Sequence, residues 1–335
     1  MRSLAPRMLI WGMAASLLVA FTSCAKQKPA PAPKKVVGIT LLTRSHAFYQ
    51  DLEAAMRETA DRLGIQLMVQ SCDFKVDVQT SQVEDFINSG VSAIVICPAD
   101  SNAIVGAVKR ANAAKIPAFT ADIAAKGGDV VCHVASDNVQ GGHVIGEYLV
   151  KLLKGKGEVA IINHPVTTSV QDRVRGFREA LSKASGIEVV ADQTAEGQRS
   201  KAVDIAETIL ESHPNLNAIW GINDDSALGA LQAVRQAKRG NRVIVVGYDG
   251  TPEARKEILA GSPLKADAVQ YPRRIGQVAI ETIDKYLRGE QVPKAIPIEV
   301  GIIDRATLQR EGAGSPTPTS SGKSSEPAKS AAPGS

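Results

Sequence analysis

Two aspartates close apolar strands at corresponding places in the chain: Asp122 in "IPAFTAD" and Asp249 in "RVIVVGYD". A strand that ends on a carboxylate has two explanations. Asp249 is followed by Gly250, Thr251 and Pro252, and an aspartate ahead of a helix accepts orphan backbone N–H bonds while proline suits the first turn. Alternatively, the carboxylate is an acceptor-only group aimed at a ligand. A repeat bears on the choice. "AIVICPADSNAIVGAV" (93–108) is similar to "AIWGINDDSALGALQAV" (218–234), each reading as strand, loop with Asp-Ser, and helix, and after each copy the next strand ends on one of the two aspartates. In open parallel sheets ligands bind outside the carboxyl ends of the strands. Two facing lobes would therefore direct both carboxylates into one cleft. A cap explains either aspartate alone; the same placement in both halves favours the ligand role.

Other chemistries are poorly supported. The histidines at 46, 133, 143, 164 and 213 are dispersed, with no zinc spacing and no Ser/His/Asp arrangement. "VVGITLLTRSHAF" lacks the glycine loop of a dinucleotide fold, and "GKGEV" precedes a strand rather than a helix. These features argue against an enzyme, a cofactor or a metal. A net charge of +4, without a basic stripe, and only 4 % aromatic residues argue against a nucleic-acid partner.

The elements that must position the aspartates follow from patterning. Short apolar runs ("VVGITLL", "SAIVICP", "EVAIINH", "NAIWGIN") alternate with helical patterns, as in Phe48, Leu52, Met56, Ala60 and Leu63. Continuous apolar strands separated by helices mean parallel sheets covered on both faces, an α/β protein. Trp220 sits within such a strand and is expected in the core. Cys72, Cys97 and Cys132 match no metal pattern and read as buried small hydrophobes, with one disulfide left open.

The ends are different. Arg2 and Arg7 precede the apolar run "MLIWGMAASLLVAF", which reads as a secretory signal over 1–23. Ser23 before Cys24 resembles the bacterial lipoprotein processing site, although Phe21 stands where leucine is usual; the alternative is an uncleaved anchor. Cleavage there would acylate Cys24 and tether an exported protein to a membrane, in the periplasm or at the outer cell surface. Residues 24–35 form a proline-rich tether, and 313–335, rich in Ser, Pro, Ala and Gly, have almost nothing to bury.

The folded part resembles the periplasmic sugar-binding proteins of the ribose- and galactose-binding type over residues 36–304. The resemblance rests on "HVASDNVQGG", "SVQDRVRGF", "INDDSALGAL", "VVGYDGTPEA", "AVQYPRRIG" and "IPIEVGII", in that order. It implies two Rossmann-like lobes joined by three crossings, near Ser136, Gln270 and Val300. One lobe would be 36–136 with 271–299 and the other 137–270 with 300–312. Residue by residue, it puts Phe48 and Tyr49 where aromatics stack on a sugar ring, and Asp122, Arg173, Asn223, Asp249 and Gln270 where sugar hydroxyls bind. His46 and Ala47 replace the usual Asn-Pro ahead of the aromatic pair, with Arg44 nearby. Asn223 has a competing task as a helix N-cap. Arg173 is read as near a helix start, where a cation is disfavoured and needs compensation.

The implied protein is a monomeric, lipid-anchored binding protein that hands a small sugar to the membrane subunits of an ABC importer. A receptor for a sugar or furanose-like signal molecule, serving a chemoreceptor or sensor kinase, is the alternative. Two departures bear on the sugar: Ile123 stands where the ribose-type pattern has arginine, and Gly197 where it has an aromatic. With one cation and one stacking face gone, D-ribose in the usual pose is not expected to be the best ligand. Another pentose, a hexose or a cyclic polyol with more bulk beside Gly197 is expected to bind tighter.

Overall fold

The apolar runs form the strands of two sheets. The structure, a computed structural model, describes residues 35–312. The segment read as a secretory signal, Cys24 and the tail after 312 lie outside the described residues. The first sheet runs β11-β5-β4-β3-β1-β2, from β1 (Val36–Leu41), β2 (Gln66–Ser71), β3 (Ala93–Ile96), β4 (Ala118–Ala121), β5 (Val130–Ser136) and β11 (Ala295–Ile298). All its pairings are parallel. The second runs β12-β10-β9-β8-β6-β7, from β6 (Lys156–Asn163), β7 (Gly186–Thr194), β8 (Leu216–Gly221), β9 (Ile244–Asp249), β10 (Leu264–Val269) and β12 (Gly301–Asp304). Only the β10–β12 pairing is antiparallel.

Helices cover both faces of each sheet, as parallel strands require. They are α1 (Ala47–Leu63), α2 (Val76–Asn88), α3 (Val105–Ala113), α4 (Asn138–Leu152), α5 (Thr168–Leu181), α6 (Arg199–Ser212), α7 (Asp224–Gln236), α8 (Pro252–Leu259), α9 (Pro272–Leu287) and α10 (Arg305–Gly312). The α1 stripe of Phe48, Leu52, Met56 and Ala60 is buried in the first lobe's core. Trp220 is fully buried and stacks on Phe177 with ring centroids 4.0 Å apart, so it is a core residue of the second lobe. Cys72, Cys97 and Cys132 are buried and unpaired.

Two glycines set the geometry that later matters for the site. A Cβ on Gly142 of α4 would lie 2.0 Å from the Arg173 carbonyl oxygen, and one on Gly176 of α5 would lie 2.0 Å from that of Val139. The helices therefore pack backbone to backbone, which no larger residue permits.

The chain passes between the sheets three times: after β5, between β10 and α9, and between β11 and β12. Side chains brace these crossings. Gln140 Nε2 donates to the Val300 carbonyl at 3.1 Å and its Oε1 accepts from the Val300 N–H at 3.1 Å. Ser136 Oγ donates to Gln270 Oε1 at 2.7 Å. The lobes also meet away from the hinge, where Ser101 Oγ accepts from the Thr168 N–H (3.0 Å), the first amide of α5, and the Ser101 N–H donates to the Val166 carbonyl (3.1 Å). Thr168 Oγ1 in turn accepts from the Ala124 N–H at 3.0 Å. One lobe thus satisfies an orphan amide at the start of the other lobe's helix.

Candidate functional site

The cleft between the lobes holds a pocket that is partly open to solvent. His46, Phe48, Tyr49, Asp122, Arg173, Asn223, Asp249 and Gln270 all line it, as do Ile123 and Gly197. Arg44 does not: its guanidinium is held outside by Glu53 (2.8 and 3.0 Å) and the Val69 carbonyl (3.1 Å). It cannot supply the donor absent at Ile123.

Both aspartates leave their strands with left-handed backbone, φ +65° at Asp122 and +129° at Asp249. Such conformations cost about 1–3 kcal/mol at a non-glycine residue and persist where the surroundings impose them. Asp122 follows β4, where its N–H is held by the Val134 carbonyl (2.9 Å), so its side chain turns into the cavity. Its Oδ2 accepts from the Tyr49 hydroxyl at 2.6 Å, while Oδ1 is buried with no hydrogen-bond partner among the described residues. Tyr49 is therefore tied edge-on to the carboxylate, with Phe48 perpendicular to it at 5.2 Å.

Asp249 does not cap the helix that follows it. The N-cap of α8 is Thr251, whose Oγ1 accepts from the Ala254 N–H. Asp249 instead accepts from Gln270 Nε2 (2.6 Å) and, more weakly, from the Asp224 N–H at the start of α7 (3.3 Å). Asn223 does cap α7: its Oδ1 accepts from the Ser226 N–H (2.9 Å) and its Nδ2 donates to the Gly197 carbonyl (3.1 Å). Each amide nitrogen keeps a second N–H, so the cap leaves capacity for a ligand.

Arg173 is the one buried arginine or lysine among the described residues. It is the sixth residue of α5, beyond the first turn, so proximity to the helix start is not what it must offset. Three features hold its guanidinium: Nε donates to Asn138 Oδ1 (2.8 Å), Nη1 to the Ile222 carbonyl (2.9 Å), and the plane lies 4.0 Å over the Tyr248 ring. Nη2 has no partner among the described residues. Asn138 and Tyr248, which aim the guanidinium, were not identified from the sequence. Neither were Phe74 and His164, which also line the cavity. Phe74 takes φ +65° and meets the His46 ring edge-on at 5.5 Å.

The electrostatics are unbalanced. Burial pushes the Asp122 carboxyl above its ordinary range, against the pull of Arg173 and the Tyr49 hydrogen bond. Asp249 is pushed well above its range by burial and by Asp224, again opposed by Arg173 and Gln270. At the mouth, His46 Nε2 lies 3.2 Å from Asp225 Oδ2 of the other lobe, and burial lowers its pKa in spite of that partner. The cavity thus presents acceptor-only carboxylates, a donor-only guanidinium, amides that do both, and aromatic faces. That set suits a small neutral molecule with several hydroxyls, since charge-assisted hydrogen bonds contribute about 1.5–3 kcal/mol each.

Two lobes of parallel sheet around a polar, aromatic-lined cleft define the type I periplasmic binding fold. The chain matches the periplasmic binding protein domain over residues 37–291 and belongs to that family. It is 36 % identical over 272 residues to the ribose import binding protein of Salmonella typhimurium, covering 81 % of this chain and 90 % of that one. Among solved structures, it is similar to a solute-binding protein from Actinobacillus succinogenes with bound D-allose (TM-score 0.77, 27 % identity, 83 % of this chain and 100 % of that one). It is likewise similar to one from Bacillus halodurans with bound myo-inositol (TM-score 0.78, 27 % identity, 84 % and 98 %).

The raised carboxyls fix a sign. The native state holds the Asp249 proton more tightly than the unfolded chain, so stability declines as pH rises from the ordinary carboxylate range through the raised one. Asp249→Asn should therefore give the ligand-free protein a higher Tm than wild type at neutral pH, and a shallower fall between mildly acidic and neutral pH. Thermal unfolding across that range is the measurement. A lower Tm with an unchanged slope would show that the buried charge is not the source of the instability.

Proposed function

We propose that this protein captures a small sugar, a pentose, hexose or related polyol, in the interlobe cleft and delivers it to the membrane subunits of an ABC importer, binding it without chemical turnover. The observation that carries this reading is the convergence of Asp122 and Asp249, one from each lobe, with the buried Arg173 on one cavity, where polar groups remain unspent. In this reading Asp122, Asp249, Arg173, Asn223, Gln270 and His46 bind hydroxyls, while Phe48 and Tyr49 cover C–H faces. The relative from Salmonella is named as a ribose import protein, and an Actinobacillus succinogenes relative, 34 % identical over 254 residues, as a D-apiose import protein; both names support an importer partner over a sensor.

The lobes we assign are 36–136 with 271–299 and 137–270 with 300–312. Sheet membership and the packing of α1 on α9 support this division. Closure about the three crossings would bury the sugar and present a joined surface to the importer. The hinge struts at Gln140 and Gln270 and the Ser101–Thr168 contact are the parts that would hold the closed form. The working protein is read as an exported monomer, with Cys24 acylated and the 24–35 segment spacing the lobes from the membrane. Among the described residues no helix is long and apolar enough to cross one.

Calorimetry with a panel of pentoses, hexoses and polyols should find a ligand, and small-angle scattering should show a more compact particle when it is bound. Asp249→Asn should bind that ligand about tenfold weaker or worse, having lost a charge-assisted acceptor. Identical scattering with and without a tightly bound sugar would refute the closure account. For the anchor, Cys24→Ser should move the protein from the membrane to the soluble fraction of an expressing bacterium. Retention of that variant in the membrane would refute acylation as the tether.

A further inference from the structure

His164 leaves β6 immediately after Asn163, and Asn163 is paired in register with Thr194, the last residue of β7. The Ala195 N–H donates to the Asn163 carbonyl at 3.0 Å, which sets His164 beside the 195–197 turn. Both His164 and Gly197 line the cavity. Gly197 takes φ +68°, and a Cβ there would come within 4 Å of nothing except Asn223 Nδ2, at 3.3 Å. This side of the cavity is therefore shaped by its neighbours, and His164 brings a polar ring to it.

The backbone of His164 is fixed. Its N–H donates to Asn163 Oδ1 (2.7 Å) and its carbonyl accepts from Thr167 Oγ1 (3.3 Å). The ring is not satisfied. The residue is only 8 % exposed, and neither Nδ1 nor Nε2 has a hydrogen-bond partner among the described residues. A buried polar group without a partner is costly, and native structures seldom keep one without a use. Burial lowers the pKa to about 4, outweighing the carboxylates of Glu196 and Asp100, while His46 and Lys201 add to the lowering. At neutral pH the ring is therefore uncharged and offers one donor and one acceptor on different edges, and a ligand hydroxyl, itself donor and acceptor, can pair with either.

We propose that His164 is a specificity-determining residue that hydrogen-bonds a hydroxyl on the Gly197 side of the ligand, and that the ligand class is a hexose or cyclitol rather than a pentose. This inference rests on the sugar-binding reading above. Gly197 puts no side chain on that wall to exclude an extra carbon and its hydroxyl, and the imidazole reads it. The unpartnered Oδ1 of Asp122 marks a second buried acceptor awaiting the same ligand.

The test is calorimetry of wild type, His164→Ala and His164→Gln with D-allose, myo-inositol and D-ribose. Wild type should bind D-allose or myo-inositol tighter than D-ribose. His164→Ala should weaken the preferred ligand about tenfold while changing D-ribose by less than about twofold, and His164→Gln, with an amide donor and acceptor, should keep most of the affinity. Tightest binding of D-ribose, an equal loss for every sugar, or no loss for any would overturn the role of His164 and leave sugar binding standing. Wild type that binds no sugar across the wider panel would overturn both.

Discussion

One buried guanidinium set among buried carboxylates is the constraint on which the rest of this structure depends. Arg173 lies between Asp122 of one lobe and Asp249 of the other, and it lowers the pKa of each while burial raises both. One cation cannot neutralise two carboxylates, with Asp224 adding a third negative group beside Asp249. Charges taken out of water need partners that donate hydrogen bonds, or they shift toward neutrality. The cleft is costly when empty, and a molecule with several hydroxyls can relieve it.

That requirement reaches outward into the fold. The guanidinium is aimed by Asn138 at the start of α4, by the Ile222 carbonyl after β8 and by the Tyr248 face on β9, so three elements must be in register. The contacts at Gly142 and Gly176 bring α4 against α5 closely enough for this. Gln270 belongs to both systems: its Nε2 holds Asp249, and its Oε1 accepts from Ser136 at another crossing. One amide thereby ties a cleft carboxylate to a hinge residue, and the Ser101–Thr168 contact on the far side adds a second bond between the lobes.

The parts of this arrangement differ in how legible they were. The α/β class was written in the alternation of apolar runs and helical stripes. The shared placement of Asp122 and Asp249 was visible because the strand-loop-helix unit occurs twice. Arg173 was found through the family resemblance, but the electrostatic reason attached to it failed, because it lies one and a half turns into α5 and answers to Asn138, Tyr248 and the carboxylates. The helix-cap alternative for Asp249 failed for a local reason: Thr251, two residues on, takes that position. His164 and Phe74 were missed because neither sits in a repeated or periodic pattern. Their positions depend on how β6 ends beside β7 and on a left-handed turn at Phe74, which composition and spacing do not encode.

In the proposed function, both lobes' carboxylates and the one buried guanidinium among the described residues meet on a sugar. A crystal structure of the protein with its preferred sugar tests this most directly. It should show hydroxyls within about 2.7–3.2 Å of Asp122 Oδ1, of Asp249 and of Arg173 Nη2 at once. A sugar bonded to residues of one lobe only, with Arg173 paired directly to a carboxylate and turned away from the ligand, would contradict it.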